Sequence, residues 1–173
     1  MKNNYFQIFF AVIFCAIVFT SSNANDEFNF DVDEIEIKEN GNKFFGKNGG
    51  VVTTEDGTII KAKNFEYTKN TNILIATGNV EIIDEINKTI IYSEKITYFK
   101  NKELITAEGK SSAISENTTL FAEKLFYDKA GNIINAKNDV KIINTLENYT
   151  IKSEKITYFK NDEKIFSKGP TKA

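Results

Sequence analysis

The chain has 173 residues, with 22 basic side chains, all of them lysine, against 24 carboxylates, for a formal charge of −2. It has no histidine, no tryptophan and a single cysteine, Cys15, so the common nucleophile–base pairs and zinc sites lack their usual members. Bulk charge of this sign does not favour nucleic acid or other phosphate-rich partners.

Residues 1–24 read as a signal peptide. Lys2 is the only charge before an apolar run from Tyr5 to Phe19, and Ser22 and Ala24 supply the small residues before a cut at Asn25. The run is shorter than the ~20 apolar residues that a spanning helix needs. An uncleaved anchor is the competing reading, and Phe14 before Cys15 argues against lipidation. Residues 25–173 then form one domain with no cysteine, independent of disulfides.

From residue 28 onward the chain is a tandem array. SEKITYFKN occurs at 93–101 and again at 153–161, and the 60-residue offset gives 17 identities between 79–113 and 139–173. A unit of about 30 residues lies inside it. Ala62, Ser93, Ala122 and Ser153 open the units. An apolar residue follows at +3 (Phe65, Ile96, Leu125, Ile156) and a tyrosine at +5 (Tyr67, Tyr98, Tyr127, Tyr158). Position +16 holds Gly78, Gly109, Asn138 or Gly169. A weaker first copy runs from Phe30 through Ile35 to Gly46.

Each unit reads as strand, turn, strand. Leu74, Ala76, Gly78, Val80 and Ile82 alternate with Ile75, Thr77, Asn79 and Glu81, and period-two alternation marks a half-buried strand. Later copies give Ile105, Ala107 and Gly109, then Ile134, Ala136, Asn138, Val140 and Ile142. Asn40-Gly41, Asp56-Gly57, Lys100 to Lys102, Ala130 to Asn132 and Asn161-Asp162 supply turns. No helical period is sustained after residue 25. The fold class is all-β, built from tandem two-strand units of about 30 residues.

The recurrent Ala and Gly form a stripe of low side-chain volume across the array. It marks strand bends or close sheet contact, or it leaves room for a guest. Asn138, where other copies have Gly, is expected to turn differently. The carboxylates fall at turns or on the polar side of the alternation, as solvated surface. Strand alternation splits Asp31, Asp33, Glu34 and Glu36 between faces, so no metal site is expected, nor any catalytic residue or cofactor.

This unit, A-x-x-Φ-x-Y followed by A-x-G-x-V-x-I (Φ apolar), resembles the OstA-like periplasmic domains of the lipopolysaccharide-transport system. The residues that carry it are Ala62 to Tyr67, Ala76 to Ile82, Ser93 to Tyr98 and Ala122 to Tyr127. The resemblance covers nearly all of residues 25–173. It implies an antiparallel β-jellyroll, or "taco", open at its ends, whose apolar groove carries the acyl chains of lipopolysaccharide through the periplasm without catalysis. The expected groove residues are Phe65, Tyr67, Leu74, Ala76, Val80, Ile82, Ile96, Tyr98, Ile105, Ala107, Leu125, Tyr127, Ile134, Val140, Ile142, Ile156 and Tyr158.

Lys95, Lys100, Lys155 and Lys160 are expected to be solvated, or to meet lipid A phosphates at a rim. Partners implied are lipopolysaccharide, other Lpt-type jellyroll proteins joined by edge-strand pairing, and further copies of the chain head to tail. Three alternatives stay open: a membrane-anchored member of the same transport chain, an N-terminal fragment of the outer-membrane assembly protein, and a passive β-solenoid or adhesin.

Overall fold

The computed structural model describes residues 27–173. The expected signal peptide, its cleavage site and Cys15 lie outside them. The described chain is strand after strand: β1 (Phe28–Lys38), β2 (Lys43–Thr54), β3 (Ile59–Ala62), β4 (Asn64–Thr68), β5 (Ile73–Asp84), β6 (Thr89–Phe99), β7 (Leu104–Ser115), β8 (Thr118–Asp128), β9 (Ile133–Asn144), β10 (Tyr149–Phe159) and β11 (Lys164–Lys168). Two 3₁₀ turns, Glu39–Gly41 and Lys100–Lys102, are the only helical elements among the described residues. Period-two alternation and a richness in Ile, Val, Thr, Tyr and Phe leave little else for these segments to be.

All eleven strands belong to one antiparallel sheet in which each rung pairs with the rungs before and after it in the chain. β3 and β4 act as one rung interrupted at Lys63, both lying between β2 and β5. The sheet is folded along a line crossing its rungs. At that line the ladders skip: between Thr77 and Val80, Tyr92 and Lys95, Glu108 and Ser111, Phe121 and Lys124, and Ser153 and Lys155. A bulge of this kind bends its strand and sharpens the local twist.

The fold line explains the small residues. Gly78 and Gly109 have φ of +84° and +83°, a region open to glycine and closed to most side chains. A Cβ on Gly109 would also lie 3.0 Å from the Glu94 Cβ, so the outward bend has no room for one. Asn138 corrects the expectation of a different turn: its φ is +66°, so it bends its rung as glycine does. Asn is among the few non-glycine residues that tolerate this conformation. Ser93 stabilises the bend from inside, its hydroxyl donating to the Glu108 carbonyl (3.0 Å) and accepting from the Lys95 N–H (3.1 Å).

Folding the sheet brings its apolar face against itself. One half carries a row in which large and small residues alternate through the register: Phe65, Ala76, Ile96, Ala107, Leu125, Ala136 and Ile156. Beside it runs a second row, Tyr67, Leu74, Tyr98, Ile105, Tyr127, Ile134 and Tyr158. The other half presents Val52, Ile60, Ile82, Ile91, Ala113, Leu120 and Ile142. The alternation of bulk lets the layers interdigitate, as a close-packed interior requires.

Candidate functional site

All seventeen residues expected to line a groove point inward, and all are buried, the most exposed being Tyr158 at 7%. They form one continuous cluster between the two halves of the sheet. Their own side chains fill the space between those halves.

The expected rim lysines separate into two kinds. Lys95 and Lys155 are exposed on the outer face at the bend, as anticipated. Lys100 and Lys160 are not, and here the structure corrects the expectation of solvated side chains. Lys160 is buried at 8% exposure and the Lys100 side chain is 14% exposed. The two belong with Lys129, which was not anticipated and is 7% exposed. All three follow the inward tyrosine by two residues, in Tyr98-Phe99-Lys100, Tyr127-Asp128-Lys129 and Tyr158-Phe159-Lys160. Tyr67-Thr68-Lys69 is the same motif one unit earlier. The sequence therefore carried the signal at the repeat spacing.

These lysines close the side of the molecule opposite the fold line. There the turns ending one half of the sheet meet the turns ending the other. Lys129 reaches across to donate to Asp56 Oδ2 (2.8 Å) and to Thr58 Oγ1, with Glu103 at 3.6 Å and Asp84 at 3.8 Å. Lys100 pairs with Glu103 and lies 3.6 Å from Asp56. Lys160 crosses to the Asn87 carbonyl and Thr89 Oγ1, and donates to Asn132 Oδ1 at 2.7 Å. Each ammonium also rests near a ring of the tyrosine row: Lys100 and Lys129 at 5.8 and 5.7 Å from Tyr98, and Lys160 at 5.8 Å from Tyr127.

Tyrosine hydroxyls tie the apolar rows to this seam. Tyr98 donates to Glu103 Oε2 (2.6 Å) and Tyr127 to Asp84 Oδ2 (2.9 Å). Asp84, 2% exposed, also accepts from the backbone N–H and the side-chain amide of Asn87. The electrostatics follow the geometry. Burial alone would raise the Asp56 carboxyl, but hydrogen bonds from Lys129 and Thr54, with the Lys129 and Lys100 charges, hold it well below the carboxylate range. Burial first, and Glu103 second, push the Tyr98 phenol far above its ordinary value, so it stays a donor. Burial pulls Lys160 down, opposed by the charges of Asp84 and Glu116. Among the described residues no carboxylate lies within ion-pair distance of Lys160, whereas Lys129 has three.

Sequence reasoning missed Asp56, Asp84 and Lys129 because it treated carboxylates and lysines as the polar side of the alternation. Asp84 is at an inward position, in phase with Val80 and Ile82, and that phase was readable. Its acceptance inside depends on Lys129 arriving from a rung far along the chain, which pattern alone does not show.

This arrangement defines a class, a tandem-hairpin β-jellyroll: one meandering sheet folded on an apolar interior, closed on one side by backbone and on the other by side chains. A family profile described as OstA-like protein matches residues 26–168, and the chain belongs to that family. No curated protein matches it. Among solved structures it is similar to LptH of Pseudomonas aeruginosa, the LptA-homologous periplasmic component of the lipopolysaccharide transport device. The TM-score is 0.58 at 20% identity, over 65% of this chain and 85% of that one. The jellyroll expected from the resemblance is the fold observed.

Proposed function

We propose that this protein is a non-enzymatic periplasmic carrier of lipopolysaccharide. The two halves of the folded sheet part to take the acyl chains between their apolar rows, and the cargo is handed along a bridge of like jellyrolls toward the outer membrane. The observation that carries this reading is the interior itself: uninterrupted apolar rows run from β2 to β10, with no polar layer across their path. Each methylene sheltered there is worth about 0.8 kcal/mol, and burial without direction lets a chain slide from one rung to the next. Export by the leader at residues 1–24 belongs to the same reading.

The two ends of the sheet suit head-to-tail pairing with other jellyrolls or further copies. β1 carries Asp31, Asp33, Glu34 and Glu36 against one lysine, while β10 and β11 together carry Lys152, Lys155, Lys164 and Lys168 against Glu154 alone. Among the described residues neither end strand is paired along its outer edge, and opposite charge would align them. Photo-crosslinking in cells tests the cargo. A photoreactive residue at Tyr98 or Ile105 should yield a lipopolysaccharide adduct, and one at the outward Thr106 should not. Absence of adducts from every inward position would leave the passive solenoid as the better reading.

A further inference from the structure

The two halves of the sheet are joined along the fold line by the backbone of the rungs β1, β2, β3–β4 and β5 to β10, and along the opposite side only by side chains and turn contacts. That seam is uneven. Lys129 is held by three carboxylates, of which Asp84 is buried, whereas Lys160, one unit further on, is held by three neutral oxygens. The seam is also partly open on the Lys160 side. A cleft of about 320 Å³, lined by Ile86, Lys88, Glu116, Asn132, Tyr158 and Lys160 among others, runs into it. A second cleft, between the turns at Glu116 and Leu146, again reaches Tyr158. Tyr158 is the last tyrosine of the inward row, so both clefts touch the end of the apolar interior.

We infer that the seam parts at Lys160 to admit acyl chains sideways, with the Lys129 cage as the stop, and that the freed Lys160 ammonium takes a headgroup phosphate adjoining those chains. This rests on the lipid-carrying reading above. An ammonium without a contacting anion gains most from one, because charge-assisted bonds are roughly twice as strong as those to neutral acceptors. Opening at Lys129 would strand the buried Asp84 carboxylate without its cation, a far more costly step. Side-on admission also needs no break in the hydrogen-bonded wall, since every rung from β2 to β9 is paired on both flanks.

The test uses the full chain with Cys15→Ser, Asn87→Cys and Asn132→Cys, and a short bis-methanethiosulfonate reagent whose bridge is released by reductant. Asn87 and Asn132 flank the Lys160 ammonium from opposite sides of the seam. Bridging should lower lipopolysaccharide binding at least tenfold, and reductant should restore it, while single-cysteine controls are unaffected. Equal binding by bridged and released forms would overturn side-on admission and leave the carrier reading intact. Binding by neither form, with the unaltered chain also inactive, would overturn both. Amide exchange on the unaltered chain gives a second readout. Lipopolysaccharide should speed exchange in the turns at 85–88 and 129–132 severalfold while the fold line stays protected. Uniform protection of both would overturn the proposal.

Discussion

Single residues decide where this sheet bends and where it closes. Gly109→Ala places a Cβ on a +83° φ and against Glu94, and should destabilise by roughly 1–3 kcal/mol in denaturant unfolding. Asn138→Gly, at a bend already left-handed, should change stability by only a few tenths of a kcal/mol. Ser111, 1% exposed, has a buried hydroxyl with no hydrogen-bond partner among the described residues. Ser111→Ala should therefore raise the melting temperature, by up to about 1 kcal/mol of stability, because the desolvated hydroxyl is removed. The two seam lysines should behave oppositely. Lys129→Met leaves the buried Asp84 carboxylate without a cation and should cost about 3–5 kcal/mol, while Lys160→Met leaves only neutral oxygens and should cost much less.

At the scale of elements, the two-strand units, their turns and the inward rows were legible in the alternation. The fold line was legible too, though less plainly. In β6 the inward residues are Thr89, Ile91 and Ser93, then Ile96 and Tyr98. The step of three from Ser93 to Ile96 reverses the phase of the alternation, and it recurs from Ala122 to Leu125 and from Ser153 to Ile156. A strand keeping side chains on one face after an odd step must spend one residue in a bulge. The A-x-x-Φ spacing is thus the signature of the bend. Which stripe residues bend and which merely pack was not legible, because it depends on the partner strand. The end strands carry one further expectation. If their opposite charges align copies, self-association followed by sedimentation should weaken between 50 and 500 mM salt. Reversing Asp31 and Asp33 to Lys should abolish it until Lys164 and Lys168 are reversed to Glu.

For the molecule as a whole, the seam should respond to acid before the wall does. The folded-state value of Asp56 lies below its unfolded value of about 3.9, so its contribution is present above roughly pH 4. It is lost as pH falls toward the folded value. Tyrosine fluorescence or amide exchange at 54–58 should report loosening in that window, and Asp56→Asn should flatten the response. The wall, held by backbone hydrogen bonds, should keep its far-ultraviolet dichroism over the same range. The seam was the part least visible beforehand, since its partners, such as Lys129 and Asp56, are 73 residues apart.

Those long separations stand against a wall in which consecutive rungs pair. Order can therefore spread hairpin by hairpin from any well-formed unit, with short loops to close at each step, which is the regime of comparatively quick assembly for a β-protein. The contacts of Lys129 and Lys160 come due only once the five rungs that separate them from Asp56 and Asn87 exist, so an unzipped, nearly flat ribbon is the natural precursor on the way to the finished shape. Lengthening the chain by one more unit would add two rungs without disturbing that sequence of events.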